Sequence, residues 1–148
     1  MLEIKVINNE KEIPEGLTRD DIVNFLYDHL DQFGDTESAI NKCLDYAFSD
    51  AKGEGGFVLA AYNDDQLVGA LIMNFSGMSE YIPENVLVYV AVHRDHRGKG
   101  YGGQIVKRSF ELCEGDVKLH VEYDNPAKRL YERIGFTNKY AEMRYKNA

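Results

Sequence analysis

The sequence has little cysteine, no long apolar run and no excess of positive charge, and each absence excludes a class of protein. Its two cysteines, Cys43 and Cys113, lie far apart and match no metal or redox spacing, so we expect buried free thiols and no bound metal. No stretch approaches the roughly 20 apolar residues that a membrane helix needs. The first residues also lack the pattern of a signal peptide, which predicts a cytoplasmic protein without membrane association.

The charge is negative and unevenly distributed. A formal net charge of −8 makes nucleic acid an unfavourable partner. Residues 1–60 contain 13 acidic and 5 basic side chains, whereas residues 61–148 contain 12 of each. The segment His93–Arg108 is locally basic. This pattern fits a site with a basic wall for an anionic cofactor and an acidic wall for a cationic substrate, or simply acidic helix surfaces that favour solubility.

The apolar patterns predict a mixed α/β fold. A strand and two helices come first, an antiparallel hairpin follows, and the chain ends in a β-α-β-α-β unit. No repeat, linker or low-complexity segment divides the chain, so one domain over residues 1–148 is expected. The predicted elements are strand Leu2–Ile7, helices that start after Thr18 (closing at Gly34) and Thr36, strands Phe57–Tyr62, Gln66–Phe75 and Val86–Val92, helix Gly100–Cys113, strand Val117–Glu122, a helix from Asn125 to Gly135, and extended chain over Phe136–Lys146.

A glycine-rich loop follows the apolar run Val86–Val92 and leads into a helix. Free backbone N–H groups at a helix start bind phosphate, and glycines let the ligand approach the backbone closely. The run Gly98–Gly103 formally satisfies the dinucleotide-binding pattern GxGxxG. However, five residues separate Val92 from the first glycine, and too little chain follows for the remaining parallel strands. A P-loop is excluded because Lys99 is followed by Gly100 rather than by serine or threonine.

Two motifs carry a resemblance to a known family. Residues 97–102, RGKGYG, resemble the R/Q-x-x-G-x-G/A signature of the GNAT superfamily, the N-acetyltransferases that use acetyl-CoA. Residues 125–136, NPAKRLYERIGF, resemble the family's N-x-x-A-x-x-L-Y-x-x-x-G-F block. The asparagine stands one position too close to Ala127, so either Asp124 or Asn125 fills the family's asparagine role. The order of predicted elements also matches the family, which implies splayed central parallel strands.

The resemblance implies a cofactor site and a proton donor. The strand before the loop would pair its backbone with the pantetheine, and the loop and helix start would hold the pyrophosphate. Tyr131 would protonate the leaving thiolate, whose pKa lies close to that of a phenol. The implied cofactor residues are Val90, Ala91, Val92, Arg97, Gly98, Lys99, Gly100, Tyr101, Gly102, Gly103, Asn125 and Lys128.

A general base is harder to assign. An alkylamine is almost entirely protonated at pH 7, so a base must remove its proton. His120 stands where some family members carry a glutamate base, and an unperturbed histidine has a suitable pKa. Glu122, Glu84 and Tyr89 are lesser candidates.

The sequence thus predicts a transferase that acetylates a primary amine by direct attack within a ternary complex. The acceptor would be a small cationic amine or a protein or peptide amine, and a homodimer is possible. The alternative is a module of the same fold that binds or senses acyl-CoA without catalysis.

Overall fold

A computed structural model describes residues 1–147 and contains five strands and four helices. No helix within this range is both long and apolar enough to cross a membrane. In chain order, the elements are β1 (Leu2–Ile7), α1 (Arg19–His29), α2 (Glu37–Ala47), β2 (Gly56–Asn63), β3 (Gln66–Phe75), β4 (Asn85–Val92), α3 (Tyr101–Glu111), β5 (Val117–Leu119) and α4 (Ala127–Ile134).

The strands form a single mixed sheet in the order β1-β2-β3-β4-β5. The first four strands are antiparallel neighbours, and β5 lies parallel to β4. A two-residue turn joins β2 to β3, and Asp64 adopts the left-handed conformation there with φ of 55°. The mixed α/β fold class predicted from the sequence is therefore confirmed.

The parallel strands separate soon after they begin. Only three residue pairs join β4 to β5, and the last of them is Leu87 with Leu119. The ladder between β3 and β4 also shifts register at this point, because Met73 faces Leu87 while Ile72 faces Tyr89. Val88 is therefore an extra residue in β4, as in a β-bulge. Beyond it, no strand among residues 1–147 pairs with the edge of β4 that faces β5.

The sheet is covered on both faces, which gives two apolar clusters. Helices α1 and α2 cover one face with Ile22, Leu26, Ile40 and Leu44 among the buried side chains. Helices α3 and α4 cover the other face. The middle strands β2 and β3 are buried on both faces, which explains their nearly continuous apolar sequences. Burial raises the pKa of the free thiol of Cys43 to about 12, so this thiol stays protonated.

Helix α1 is shorter than predicted. It begins with the expected cap, since the Thr18 side chain accepts from the Asp21 amide and Asp21 accepts from the Thr18 amide. It ends at His29 rather than near Gly34, because Asp31 takes a left-handed conformation with φ of 54° that a helix cannot continue through. Asp31–Phe33 then form a single tight turn before α2.

The end of the chain differs from the prediction. Strand β5 stops at Leu119 rather than Glu122, and residues 136–147 contain no strand. A strand needs a ladder partner, and β5 moves away from β4 after three residues. The polar segment Thr137–Asn147 is exposed throughout, so it gains little apolar burial that would hold it against the sheet.

Candidate active site

The loop between β4 and α3, residues 93–100, has a backbone shape that requires glycine. Gly98 and Gly100 both have φ of 82°, a left-handed conformation that residues with a Cβ rarely adopt. A Cβ atom placed at either position would meet no atom within 4 Å, so the loop faces open space. The glycines therefore shape a cradle that leaves room for a ligand beside the backbone.

The backbone amides of residues 98–103 lack hydrogen-bond acceptors within the described residues 1–147. Gly100 precedes the first residue of α3 and provides no side-chain cap. These donors stand at the positive end of an 11-residue helix, which is an arrangement that binds phosphate. Gly102 has a different reason to be glycine, since an added Cβ would lie 3.2 Å from Leu130 Cδ2 on α4.

Arg97 and Lys99, the two loop cations that the resemblance assigns to the cofactor, contact other parts of the protein. Arg97 donates from Nε to the Val92 carbonyl at 3.2 Å, from one terminal nitrogen to Asp31 Oδ2 at 3.1 Å and from the other to the His29 carbonyl. Lys99 Nζ lies 3.3 Å from His96 Nδ1. The guanidinium of Arg97 is thus directed toward the end of α1, and the predicted contacts of Arg97 and Lys99 with the cofactor stay predictions.

Histidine rings stack between α1 and the loop. The rings of His29 and His93 lie 4.1 Å apart, His93 meets His96 edge-on at 5.5 Å, and His96 stacks on Tyr101 at 6.3 Å. His29 Nδ1 accepts from the Arg94 amide at 3.2 Å. Burial, together with the nearby His93, holds the pKa of His29 below its ordinary value of 6.5. Packing on His96 accounts for Tyr101 without any ligand.

Asp31 joins the loop to the segment between α1 and α2. Its carboxylate accepts from Arg94 at 2.9 Å and from Arg97 at 3.1 Å. The hydrogen bonds from these two arginines keep the pKa of Asp31 below its ordinary value of 3.8. Arg94 also donates to the Asp28 carbonyl at 2.6 Å. We call Asp31, Arg94, Arg97 and His29 the loop clamp.

The free edge of β4 holds three of the predicted cofactor residues. Val90, Ala91 and Val92 lie beyond the last residue that pairs with β5. The carbonyl of Val92 accepts a hydrogen bond from Arg97, which takes one of its two lone pairs. The splayed edge that the resemblance implies is therefore present, and the contacts of these residues with a cofactor stay predictions.

Tyr131 lies on α4 within the apolar cluster that also contains Val90, Val92 and Leu119. Its side chain is buried, and its ring meets Phe136 edge-on at 5.8 Å. Burial, and to a smaller extent the charge of Glu122, raises the pKa of Tyr131 to about 12. The phenol is therefore protonated at neutral pH, as a proton donor must be.

The candidate bases lie in four different environments. His120 follows the last residue of β5 and is exposed. Glu122 lies close enough to Tyr131 to raise its pKa. Glu84 precedes β4 and accepts from the Asp116 amide at 3.1 Å, so it lies at the opposite end of the strand from the splayed edge. Tyr89 donates to Asp35 Oδ2 at 2.6 Å, and burial raises its pKa well above the ordinary range.

Asn125 and Lys128, which the resemblance assigns to the cofactor, make contacts within the start of α4. Asn125 Oδ1 accepts from the Ala127 amide at 2.9 Å, which is a local turn contact. The helix begins at Ala127 with Pro126 as its cap residue, so Asn125 lies one position before the cap that the sequence predicted. Lys128 Nζ lies 3.4 Å from Glu132, one turn along the same helix. Both residues have structural partners, and a role for either with the cofactor stays a prediction.

An acidic cavity opens beside the loop clamp. Its volume is about 460 Å³, and it is lined by Tyr27, Asp31, Gly34, Asp35 and Thr36. Asp35 accepts a hydrogen bond from the hydroxyl of Tyr89 on β4, which links the cavity lining to that strand. Glu142 raises the pKa of Arg144, and the more distant charge of Asp35 adds to that effect. The carboxylate of Asp35 therefore interacts electrostatically with Arg144 in the C-terminal segment.

Sequence reasoning missed Asp31, Asp35 and His29. None of them belongs to a motif, and their partners lie far away in the chain. The one signal was the excess of acidic residues in positions 1–60, which suggested an acidic wall without identifying its members.

Comparison with known proteins agrees with this geometry. A family model described as an acetyltransferase (GNAT) domain matches residues 54–138, which is more than half of the chain. No curated protein matches in sequence.

Solved structures share the fold over nearly the whole chain. A possible acetyltransferase from Clostridium difficile 630 has a TM-score of 0.68 at 18% identity and covers 100% of this chain and 98% of its own. A ribosomal-protein-alanine N-acetyltransferase from Brucella melitensis biovar Abortus 2308 has a TM-score of 0.64 at 17% identity, over 99% and 100%. An aminoglycoside acetyltransferase from an uncultured soil metagenomic sample has a TM-score of 0.65 at 15% identity, over 99% and 95%. The family match and the shared fold together show that the chain belongs to the GNAT acetyltransferase family.

Proposed function

We propose that residues 1–148 form one N-acetyltransferase domain that moves an acetyl group from acetyl-CoA to a primary amine. The observation that carries this proposal is the cradle of unpartnered amides at residues 98–103, beside the free edge of β4 and close to the cluster that contains Tyr131. Family membership supports acetyl transfer. The cradle is the proposed pyrophosphate site, the edge of β4 the proposed pantetheine site, and Tyr131 the proposed proton donor. The predicted cytoplasmic location and homodimer stay predictions.

The residues present fit acetyl-CoA. Its pyrophosphate is an anion, and the amides of the cradle are preorganised donors at a helix N-terminus. Its pantetheine arm carries amides, and the free edge of β4 between Val88 and Ala91 presents backbone groups that lack a strand partner on that side. A thioester supplies an activated acetyl carbon with a thiolate leaving group.

Tyr131 is proposed as the acid of the reaction. When the amine nitrogen bonds to the acetyl carbon and the carbon–sulfur bond breaks, the departing sulfur requires a proton. Tyr131 keeps its hydroxyl proton at neutral pH because burial raises its pKa to about 12. The protonated amine loses two protons in all. The first frees its lone pair, and His120 is the proposed acceptor, with Glu122 as the second candidate. The second is lost after attack and restores the proton that Tyr131 gave to the sulfur. Proton donation by a positioned phenol lowers the barrier to thiolate departure.

The acidic cavity supports a cationic acceptor. Asp35 is held by the Tyr89 hydroxyl, and Asp31 lines the same cavity. A carboxylate attracts an ammonium group and orients it by charge-assisted hydrogen bonds. Because Asp31 already accepts from two arginines, Asp35 is the proposed contact for the acceptor. The proposed acceptor class is therefore a small amine with a second positive charge, or a basic peptide amine.

The test follows free thiol release from acetyl-CoA with polyamines, aminoglycosides, amino acids and lysine peptides, with each amine omitted in turn. We expect amine-dependent release that is fastest with polycationic amines. Acetyl-CoA binding is measured separately by calorimetry. Binding without thiol release from any amine would favour the non-catalytic acyl-CoA module, and absence of binding would contradict both functions.

A further inference from the structure

The loop clamp fixes the β4–α3 loop from one side only. Arg94 and Arg97 leave the loop and meet residues at the end of α1, where they contact the carbonyls of Asp28 and His29 and the carboxylate of Asp31. The Arg94 amide adds a fourth link through His29 Nδ1. Asp31 is the only one of these acceptors that holds both arginines.

The conformation of Asp31 is suited to this position. Its φ of 54° lies in the left-handed region, which few residues other than glycine adopt. Asparagine and aspartate are among the residues that tolerate this region best. The turn over Asp31–Phe33 thus presents a carboxylate where helix α1 has just ended. Asp31 also lines the acidic cavity. It therefore contacts both the arginines of the loop clamp and the proposed acceptor site.

We propose that Asp31 is a positioning residue for the cofactor: through Arg94 and Arg97 it holds the glycine cradle in the shape that binds coenzyme A. This inference rests on the proposed function.

Gly98 and Gly100 have no side chains that pack. His96 also restrains the loop, since its Nε2 lies 3.2 Å from Gln66 Oε1 and its ring stacks on Tyr101. The loop clamp supplies further contacts, on the side of α1. If the clamp is released, the loop samples other shapes, and the apparent affinity falls with the fraction that is competent to bind.

The direction in which the coenzyme A affinity changes when Asp31 loses its charge distinguishes a positioning role from a purely electrostatic one. Coenzyme A is an anion, so removing a negative charge from this region should strengthen its binding if only the electrostatic field matters. Loss of positioning should weaken binding instead. Asp28 provides the matched control, because it lies on the last turn of α1 and contacts the loop through its carbonyl, not through its carboxylate.

The experiment titrates the full chain with coenzyme A, without acceptor, for wild type, Asp31→Asn and Asp28→Asn. Asparagine keeps the shape and tolerates the left-handed backbone, so we expect a thermal unfolding midpoint within about 4 °C of wild type, since both arginine pairs are partly exposed. We expect the Kd of Asp31→Asn to rise about tenfold and that of Asp28→Asn to stay within about twofold. Asp31→Gly, which suits the backbone equally, should match Asp31→Asn.

A double-mutant cycle shows whether Asp31 acts through the arginine. Arg94→Gln should weaken coenzyme A binding, and adding Asp31→Asn should then weaken it much less than it does alone. In turnover assays at saturating acceptor, Asp31→Asn should raise the KM for acetyl-CoA by a larger factor than it lowers kcat. An unchanged or lower Kd for Asp31→Asn, or fully additive effects in the cycle, would overturn the inference alone. A wild type that does not bind coenzyme A would overturn the proposed function as well.

Discussion

At the scale of single residues, the site contains groups whose chemistry is set by burial. Tyr131 is the main example, because its phenol is enclosed by apolar side chains and stays protonated far above neutral pH. Its ring also packs on Phe136, so the residue has a structural role as well as the proposed chemical one. A substitution that keeps the ring and removes the hydroxyl separates the two.

Tyr131→Phe should reduce kcat about a hundredfold, because a positioned general acid contributes on this scale. The ring remains, so the affinity for acetyl-CoA and the thermal unfolding midpoint should stay close to wild type. Steady-state thiol release and calorimetry measure these quantities. Unchanged kcat would reject Tyr131 as the proton donor.

Asp35 controls the other substrate in this account. Asp35→Asn keeps an acceptor for the Tyr89 hydroxyl but removes the charge, so the KM for a polycationic amine should rise about tenfold. The KM for acetyl-CoA should stay the same, and Asp50→Asn, a charge removal in the loop after α2, serves as the control. Equal acceptor KM values in wild type and Asp35→Asn would show that the cavity does not bind the amine.

At the scale of elements, the start of α3 is the part most closely tied to the cofactor. Gly100→Ala should lower stability by about 1 kcal/mol, because alanine is strained in the left-handed region. Its methyl group would also enter the cradle, so acetyl-CoA affinity should fall about tenfold or more.

Gly16→Ala is the matched control for Gly100→Ala. Gly16 has φ of 88° in the loop before α1, outside the β4–α3 loop, and an added Cβ there also meets no atom within 4 Å. Both variants should lose similar stability in chemical denaturation, and only Gly100→Ala should lose affinity in the titration. Equal affinities for the two variants would mean that the cradle does not hold the ligand.

The junction of α1 with the β4–α3 loop should be sensitive to acid. His29 has a pKa below 6.5, so the unfolded chain binds more protons than the folded protein as the pH falls through about 6.5. Stability contributed by neutral His29 is therefore present above this pH and is lost progressively below it. Urea denaturation at about pH 7.5 and about pH 5.5 should show a smaller loss of stability for His29→Gln than for wild type. An equal loss of unfolding free energy in wild type and His29→Gln would show that His29 does not cause the acid sensitivity.

At the scale of the whole molecule, the sequence predicted those parts of the site that depend on local backbone conformation. Gly98 and Gly100 are required by positive φ values, and the contact of Asn125 with the Ala127 amide and the turn at Gly135 follow from neighbours in the chain. The contacts between Asp35 and Tyr89 and between Asp31 and Arg97 join residues 54 and 66 positions apart. No local pattern encodes such pairs, because they depend on how the helices pack over the sheet.

The sheet's edge shows the same limit. The apolar pattern placed Val117, Leu119 and Val121 in the predicted strand Val117–Glu122, and all three side chains pack against the apolar cluster. It did not predict where pairing stops, because a strand's length is set by its neighbour. The predicted strand over Phe136–Lys146 was wrong for the same reason.

The most direct test of the central claim is mass spectrometry of a polycationic amine after incubation with acetyl-CoA and the protein. The account predicts an amine heavier by one acetyl group, formed only when protein and acetyl-CoA are both present, and formed far more slowly by Tyr131→Phe. An amine of unchanged mass across the whole panel, from a protein that binds acetyl-CoA, would contradict it.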